Sequence, residues 1–423
     1  MGYGFGAADL AYLGSASGAA ALAEVAELEL SPASQLRDVA AVRRAHGEWA
    51  PALIETVRLR RRAAAKLDDS GDWLFTDDAL QQATPTRVAR HRAHRLAGRD
   101  VHDVTCSIGA ELVELARVCP RVIGSDLDPV RLTMARHNLT CPVPGPDDPR
   151  RPAALPASTA DEEHTTPLVP QLEAPAGRVL LARADALAPC TRDTVVIADP
   201  ARRAGGRRTH DPAALQPPLP DLLAVYAGRD LAVKCAPGLD FDRLEWPGEV
   251  EMVSLDGAVR EACLWSPGLA DAGVTRRATV LTTGSDTLTL TDAEPCDIPE
   301  RAPGEWIIDP DGAIVRAALV RHYAARHGLW QLDPRIAYLT GDRVPAGIRA
   351  FRILDRLDFR EKSLRAELRR RDCGPLEILI RGVDTDPDVL RRRLKPSGSQ
   401  PFTLVITRIG RTPKVFLCTA HRG

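Results

Sequence analysis

The most constraining feature of the sequence is the alternation of short apolar segments with helical segments from about residue 88 to residue 235. The apolar segments end in VHD, VIGSD, LLARAD and VVIAD, and the segments AELVELARVC and PVRLTMARHNL follow the first two. Both of these have the three- and four-residue spacing of apolar side chains that indicates a helix. Strands that alternate with helices form parallel sheets with both faces covered. The sequence therefore predicts an α/β fold.

A hairpin is predicted after the last of these strands. The segments EVEMVSL and AVREACLW are joined by Asp256 and Gly257, and Asp-Gly between two strand-like segments is a strong hairpin signal. We expect this hairpin to place one antiparallel strand in the otherwise parallel sheet. That arrangement disfavours a wholly parallel dinucleotide-binding domain.

Four successive strands end in an aspartate. A ligand of an open α/β sheet binds beyond the carboxyl ends of its strands, and an acid after the second strand accepts hydrogen bonds from ribose hydroxyls. Ser107 and Gly109, in the turn after the first strand, are small enough for the backbone to approach a ligand. The turn lacks the Gly-x-Gly-x-x-Gly pattern of a pyrophosphate site. We therefore predict a nucleoside-cofactor site at the strand-end residues Asp103, Asp126, Asp185 and Asp199.

Charge is distributed unevenly along the chain. Residues 335–423 contain 20 Lys and Arg against 10 Asp and Glu, whereas the whole chain of 423 residues has a net charge of −1. This segment thus has a net charge of +10 and the remainder has −11. Basic domains are typical of proteins that bind phosphate backbones, and a solvated arginine-rich face is the alternative.

The composition limits the compartment and the number of domains. Nine cysteines occur without a Cys-x-x-Cys pair, which favours reduced thiols in a cytoplasm and argues against a zinc site.

A chain of 423 residues is longer than one hydrophobic core usually organises, so we expect more than one domain. A helix is expected to start at Ser31-Pro32. We predict an N-terminal helical region (1–85), an α/β domain (86–290) with a flexible insertion (141–177), a connector (291–334) and a small basic α+β domain (335–423).

These motifs together resemble a known family. The segments DVTCSIGAELVELA, VIGSDLDPVRLTMARHNL, RADA and VVIADPARR are similar, in order and spacing, to the motifs of class I S-adenosylmethionine-dependent methyltransferases. The closer resemblance is to bacterial methyltransferase-like proteins with a C-terminal THUMP-like domain. It extends over most of the chain after residue 60. The resemblance implies a Rossmann-like sheet that ends in an antiparallel hairpin, with S-adenosylmethionine as the cofactor.

The resemblance also implies roles for individual residues. Asp103, Ser107 and Gly109 would line the methionine and ribose end of the cofactor, and Asp126 would bind the ribose hydroxyls. Many relatives have glycine where Ser107 stands, and serine adopts a positive φ less easily. Three further residues complete the implied cofactor site: Asp185 near the adenine, and Gln82 and Thr84 as its cover.

The methyl acceptor is expected beside Asp199 and Pro200. Amino-directed nucleic-acid methyltransferases commonly have an aromatic residue after this Asp-Pro, whereas this chain has Ala201 followed by two arginines. We predict that Arg202, Arg203 and Lys234 contact the substrate. Cys235 resembles the nucleophile of pyrimidine-C5 methyltransferases, but cysteine in a strand is more often a small buried hydrophobe.

Three functions remain open at this point. The first is methylation of RNA, either rRNA or tRNA, which the basic C-terminal domain would present. The second is methylation of a small molecule or a protein. The third is a non-catalytic scaffold that binds the cofactor or RNA, since the catalytic segment departs from the usual pattern.

Overall fold

The computed structural model describes residues 2–141, 178–201, 203–204, 207–208, 211–284, 287–345 and 348–422. The predicted insertion lies outside the described residues except for Cys141, and so does Arg202; only the backbone of Arg203 is described. The chain divides into two compact units. Unit 1 comprises Met1–Gly248, Glu261–Ala270 and Thr283–Ser285, and unit 2 comprises Glu249–Arg260, Asp271–Thr282 and Asp286–Gly423. The domain bounds given above stay a prediction.

Unit 1 begins with helices whose apolar faces pack into a common core. Leu53, Val57 and Leu59 are fully buried in this core. The predicted helix start at Ser31-Pro32 is wrong by three residues, because Ser31 and Ser34 bond each other's backbone N–H groups in a turn before the helix begins at Gln35. The helices are α1 (Ala7–Leu13), α2 (Ala16–Ala26), α3 (Gln35–His46), α4 (Ala50–Ala63), α5 (Asp77–Gln82) and α6 (Thr86–Arg95).

The sheet of unit 1 follows these helices. Five of its strands are parallel. In the order in which they lie in the sheet, these are β3 (Arg178–Arg183), β2 (Arg121–Asp126), β1 (Val101–Asp103), β4 (Val195–Ala198) and β7 (Leu231–Cys235). The residues of β1, β4 and β7 are all buried, as expected for central strands covered on both faces. The strands are β1 (Val101–Asp103), β2 (Arg121–Asp126), β3 (Arg178–Arg183), β4 (Val195–Ala198), the two-residue β5 (Arg203–Ala204) and β6 (Arg207–Arg208), and β7 (Leu231–Cys235); the helices are α7 (Ala110–Leu115), α8 (Pro129–Thr140) and α9 (Leu219–Val225).

The hairpin forms as predicted. It joins β8 (Glu249–Leu255) to β9 (Ala258–Trp265). Asp256 and Gly257 both have positive φ angles, 51° and 76°, as the turn that matches the twist of a hairpin requires. β9 then lies antiparallel to β7, with Cys263 opposite Lys234. The predicted α/β class with one antiparallel strand inserted next to parallel ones is confirmed.

Unit 2 contains β8 and two strands that pair beside it, and also a separate seven-stranded sheet. β10 (Arg276–Leu281) runs parallel to β8, and β11 (Leu288–Thr291) runs antiparallel to β10. The seven-stranded sheet has the order β13-β14-β12-β15-β18-β17-β16. Its strands are β12 (Trp306–Ile308), β13 (Trp330–Asp333), β14 (Ile336–Gly341), β15 (Arg349–Asp358), β16 (Cys373–Arg381), β17 (Gln400–Ile409) and β18 (Thr412–Arg422).

The C-terminal helices cover this sheet with leucines. Leu364 and Leu368, one turn apart, and Leu390 and Leu394, also one turn apart, are all buried among strand residues. The helices of unit 2 are α10 (Gly312–Arg316), α11 (Val320–His327), α12 (Glu361–Arg370) and α13 (Pro387–Leu394). Within the described ranges, no helix is both long and apolar enough to cross a membrane.

Candidate active site

The carboxyl ends of the unit 1 strands surround a cavity of about 1120 Å³. The strand register explains this convergence. Asp103 lies level with Gly124 of β2 and Ile197 of β4, and so Asp126 and Asp199 each follow two residues later. Seven residues predicted from the sequence line the cavity: Gln82, Thr84, Asp103, Ser107, Asp126, Asp185 and Asp199.

The turn after β1 is held against the end of β2. The Ser107 N–H donates to Asp126 Oδ2 at 3.0 Å, and the Asp128 N–H donates to Asp126 Oδ1 at 2.9 Å. Ser107 has a φ of 50° and Gly109 a φ of 79°. Ser107 therefore adopts a positive φ, which serine adopts less easily than glycine. Each oxygen of Asp126 keeps a free lone pair direction for a further donor, because one backbone N–H occupies only one acceptor site.

Asp103 lies deeper in the cavity wall than Asp126. Its side chain is buried, and its Oδ1 accepts the N–H of Thr105 at 3.0 Å. Burial raises the pKa of the Asp103 carboxyl to about 8; the Thr105 hydrogen bond opposes this shift, and the charges of Glu111 and Asp199 add to it. The electrostatics of this wall therefore favour a cationic ligand, which would stabilise the ionised form of Asp103.

Asp199 is anchored by a lysine beneath it. The Lys234 ammonium donates to Asp199 Oδ2 at 2.6 Å and to Thr84 Oγ1 at 2.9 Å, while the Asp199 N–H donates to Thr105 Oγ1 at 2.7 Å. Burial acts to lower the pKa of Lys234, but the charges of Asp199 and Glu261 outweigh it and raise this pKa. Lys234 therefore remains charged and fixes the position of the Asp199 carboxylate, whose side chain is still 36% exposed.

A buried ion cluster supports the same wall. Arg92 of α6 pairs with Glu111 of α7 at 2.6 Å and with Glu261 of β9. Burial raises the pKa of Glu111, and the charge of Arg92 opposes that shift. The cluster connects the helix before the first strand to the antiparallel strand of the sheet.

The predicted residues Gly109, Pro200, Lys234 and Cys235 are not part of the cavity lining. Gly109 packs against α8, where an added Cβ would meet the Cβ of Ala135 at 3.2 Å. Pro200 is buried, and Cys235 is 2% exposed. Lys234 is 7% exposed and reaches the cavity through its ion pair with Asp199. Arg202 and the side chain of Arg203 lie outside the described residues.

Among the lining residues that sequence reasoning missed, four show which signals were available: Leu127, Thr105, Arg92 and Glu111. Leu127 and Thr105 each lie within two residues of a predicted aspartate, and so inspection of the neighbouring positions could have found them. Arg92 and Glu111 form an ion cluster with Glu261 that carries no local sequence signal, because Arg92 and Glu261 are 169 positions apart.

Two curated relatives decide the family. They are proteins from Mycobacterium tuberculosis strains CDC 1551 and H37Rv, each named as an uncharacterized S-adenosylmethionine-dependent methyltransferase. Each is 54% identical over 373 residues, which is 86% of this chain and 94% of the relative. The chain belongs to the S-adenosylmethionine-dependent methyltransferases.

The other comparisons agree with this assignment. A crystal structure of a Porphyromonas gingivalis W83 protein assigned as a methyltransferase has the same fold, with a TM-score of 0.68 and 18% identity over 99% of both chains. Residues 348–420 of this methyltransferase match the THUMP domain-like family, and residues 6–63 match a domain of unknown function. The methyltransferase thus has a THUMP-like region at its C-terminus.

The cavity of this methyltransferase fits S-adenosylmethionine, a cofactor with a ring system, ribose hydroxyls and a sulfonium cation. Leu127, 57% exposed and next to Asp126, offers apolar surface for a ring. Asp126 and Asp185 offer carboxylate oxygens to hydroxyl and amino donors. Ser107 lines the cavity, and its buried Oγ has no hydrogen-bond partner among the described residues.

Proposed function

We propose that this chain transfers a methyl group from S-adenosylmethionine to RNA, either rRNA or tRNA, in the cytoplasm. The observation that carries the proposal is the ion-paired Asp199 carboxylate at the tip of β4, exposed to the cavity that the other strand-end aspartates line. The basic THUMP-like domain would present the RNA.

In this proposal, one group of residues binds the cofactor and another orients the methyl acceptor. Asp103, Ser107 and Asp126 hold the cofactor, with Gly109 allowing close packing of the turn; Gln82, Thr84 and Asp185 complete its site. When bound, S-adenosylmethionine supplies a methyl group on a sulfonium, which is already activated for displacement. The protein therefore has mainly to orient the acceptor.

Asp199 is the residue proposed to orient that acceptor. An N–H or O–H of the acceptor would donate to the Asp199 oxygen that faces the cavity. The Lys234 ammonium holds one Asp199 oxygen in place at 2.6 Å, so Asp199 serves as a fixed hydrogen-bond acceptor. Lys234 is thus a positioning residue, and Pro200 restricts the backbone on which Asp199 lies.

The RNA part of the proposal is supported by charge and by the THUMP-like match. The net charge of +10 in residues 335–423 suits a phosphate backbone. We propose that Arg202 and Arg203, which follow Asp199, Pro200 and Ala201 in the chain, bind a phosphate of the RNA.

A second candidate, a small-molecule or protein acceptor, is favoured by the part of the cavity lining that follows Asp199 in the chain. Ala201 exchanges two backbone hydrogen bonds with Gln216, of 2.8 and 3.1 Å, and Pro217 and Pro218 then line the cavity. This apolar wall would accept a ring of any source and does not require a nucleic acid.

Comparison of modified nucleosides tests the proposal directly. rRNA and tRNA from cells with and without the gene would be digested and analysed by mass spectrometry, with Asp199→Ala as the complementing variant. We expect one methylated nucleoside to disappear without the gene and to return only with the wild-type chain. An unchanged profile in both RNA classes would contradict RNA methylation and favour the second candidate.

A further inference from the structure

The cavity lining has more carboxyl groups than cationic groups, even though Asp77 and Asp199 pair with Arg62 and Lys234, which lie outside the lining. Only two cationic side chains, Arg92 and Arg131, line it among the described residues, and both are paired: Arg92 with Glu111 and Glu261, and Arg131 with Asp128 at 3.6 Å. The carboxyl side chains in the lining number eight: Asp77, Asp78, Asp103, Glu111, Asp126, Asp128, Asp185 and Asp199.

We propose that these carboxyl groups select the positively charged cofactor, S-adenosylmethionine, over its neutral product, S-adenosylhomocysteine. The two ligands share the adenosine and amino acid groups and differ by the sulfonium methyl and its charge. An acidic, partly desolvated wall attracts the sulfonium more strongly than the thioether, because Coulomb interactions strengthen as the local dielectric falls. This inference rests on the cofactor site of the proposed function and concerns product release from it.

The deepest carboxyl of the wall couples this selection to pH. Asp103 on β1 is buried near the charged groups of Glu111 on α7, Asp199 after β4 and Arg92 on α6. Glu111 interacts in turn with Lys234 of β7 and Glu261 of β9, and the neutral thiol of Cys106 lies near both Asp103 and Asp126. Since the pKa of Asp103 is raised to about 8, this carboxyl is largely protonated at neutral pH when no cation faces it.

The sign of the coupling follows from linkage. A bound cation favours the ionised carboxylate and therefore lowers the pKa of Asp103. Binding of S-adenosylmethionine below this pKa then releases a proton, and its affinity rises as pH increases through about 8. S-adenosylhomocysteine lacks the sulfonium charge, so its affinity gains less over the same range.

The test is calorimetric titration of the full chain with each ligand at about pH 6.5 and about pH 9, the range that brackets the titration of Asp103. The ratio of the product Kd to the cofactor Kd is the readout. Its change with pH is compared between the wild-type chain and Glu111→Gln, because the sulfonium also lowers the pKa of the cofactor's own amino group and that titration is common to both chains. We expect a ratio above one that rises about tenfold across this range, as a pKa change of one unit implies. Titrations of S-adenosylmethionine near neutral pH in buffers of different ionisation enthalpy should show proton release.

Two variants separate selection from simple binding. Glu111→Gln removes one carboxyl that is coupled to Asp103 and should reduce the ratio by weakening cofactor binding alone. Asp185→Asn alters an exposed lining residue proposed to face the adenine, and it should weaken both ligands by the same factor and leave the ratio unchanged.

The outcomes distinguish this inference from the proposed function. A wild-type ratio of one or less at both pH values would overturn the selection while leaving the cofactor site intact. An Asp185→Asn variant that changes the ratio as much as Glu111→Gln would also overturn it. Failure of both ligands to bind would instead overturn the proposed cofactor site, and the inference with it.

Discussion

The cofactor cavity and the C-terminal segment have opposite charge. Eight carboxyl side chains and two arginines line the cavity, whereas residues 335–423 contain 20 basic and 10 acidic residues. The two regions also differ in burial. Ion pairs beside the cavity, such as Arg92 with Glu261, are almost fully buried, whereas pairs on the C-terminal helices, such as Arg393 with Glu361, are exposed.

In the proposed function, this difference in charge indicates that the cavity binds the cofactor and the C-terminal segment binds the RNA. A lining rich in carboxylates suits a sulfonium and repels phosphate, and a basic surface does the reverse. Both ligands of an RNA methyltransferase could not bind well to a surface of one sign. Charge of opposite sign in two parts of the chain allows each ligand its own complementary region.

The largest expected effect is loss of stability in the variant Arg92→Met. It leaves Glu261 and Glu111 buried without their ion-pair partner, and removal of one partner of a buried pair costs about 3–5 kcal/mol of the free energy of unfolding. Urea unfolding would measure it. The matched surface variant Arg393→Met should lose less than about 1 kcal/mol. Equal losses in both variants would remove the contrast between the two regions.

The variant Asp199→Ala should lose catalysis and keep the cofactor. We expect the single-turnover rate of methyl transfer to RNA to fall about a hundredfold or more, because the acceptor loses its orienting carboxylate. The Kd for S-adenosylhomocysteine should change little. Retention of the wild-type rate would show that the acceptor is oriented by another group.

A smaller effect is expected from the exposed arginines of the C-terminal helices. Replacing Arg369 of α12 and Arg392 of α13 by Gln should weaken RNA binding severalfold and reduce the slope of log affinity against log salt by about one per residue. Cofactor affinity should not change. Filter binding across a salt series would measure this. Variants that bind RNA with an unchanged salt slope would contradict the role proposed for the basic domain.

The sequence allowed the strand-end aspartates to be predicted because a parallel sheet gathers the carboxyl ends of its strands at one edge. Asp103, Asp126, Asp185 and Asp199 each end or follow a recognisable apolar segment, and all four line the cavity. The Asp256-Gly257 turn was predictable for a similar reason, since only few residues adopt two successive positive φ angles.

What the sequence did not predict depends on contacts between distant residues. Lys234 lies beneath Asp199, 35 positions away, and its depth follows from the packing of β4 and β7. Arg92, Glu111 and Glu261 come from three elements whose proximity no local pattern indicates. The start of α3 was wrong because two serine side chains stabilise a turn there in place of a helix cap.

The most direct test of the central claim is thermal unfolding with and without S-adenosylmethionine, for the wild-type chain and for Asp126→Ala. A ligand that binds the folded state at a hundredfold excess over its Kd stabilises it by about 2.7 kcal/mol, so we expect a clear rise in the wild-type Tm. Asp126→Ala should fold and show no rise, because the ribose hydroxyls lose their acceptor. The absence of a rise in the wild-type chain, or an equal rise in Asp126→Ala, would contradict the assignment of this cavity as the cofactor site.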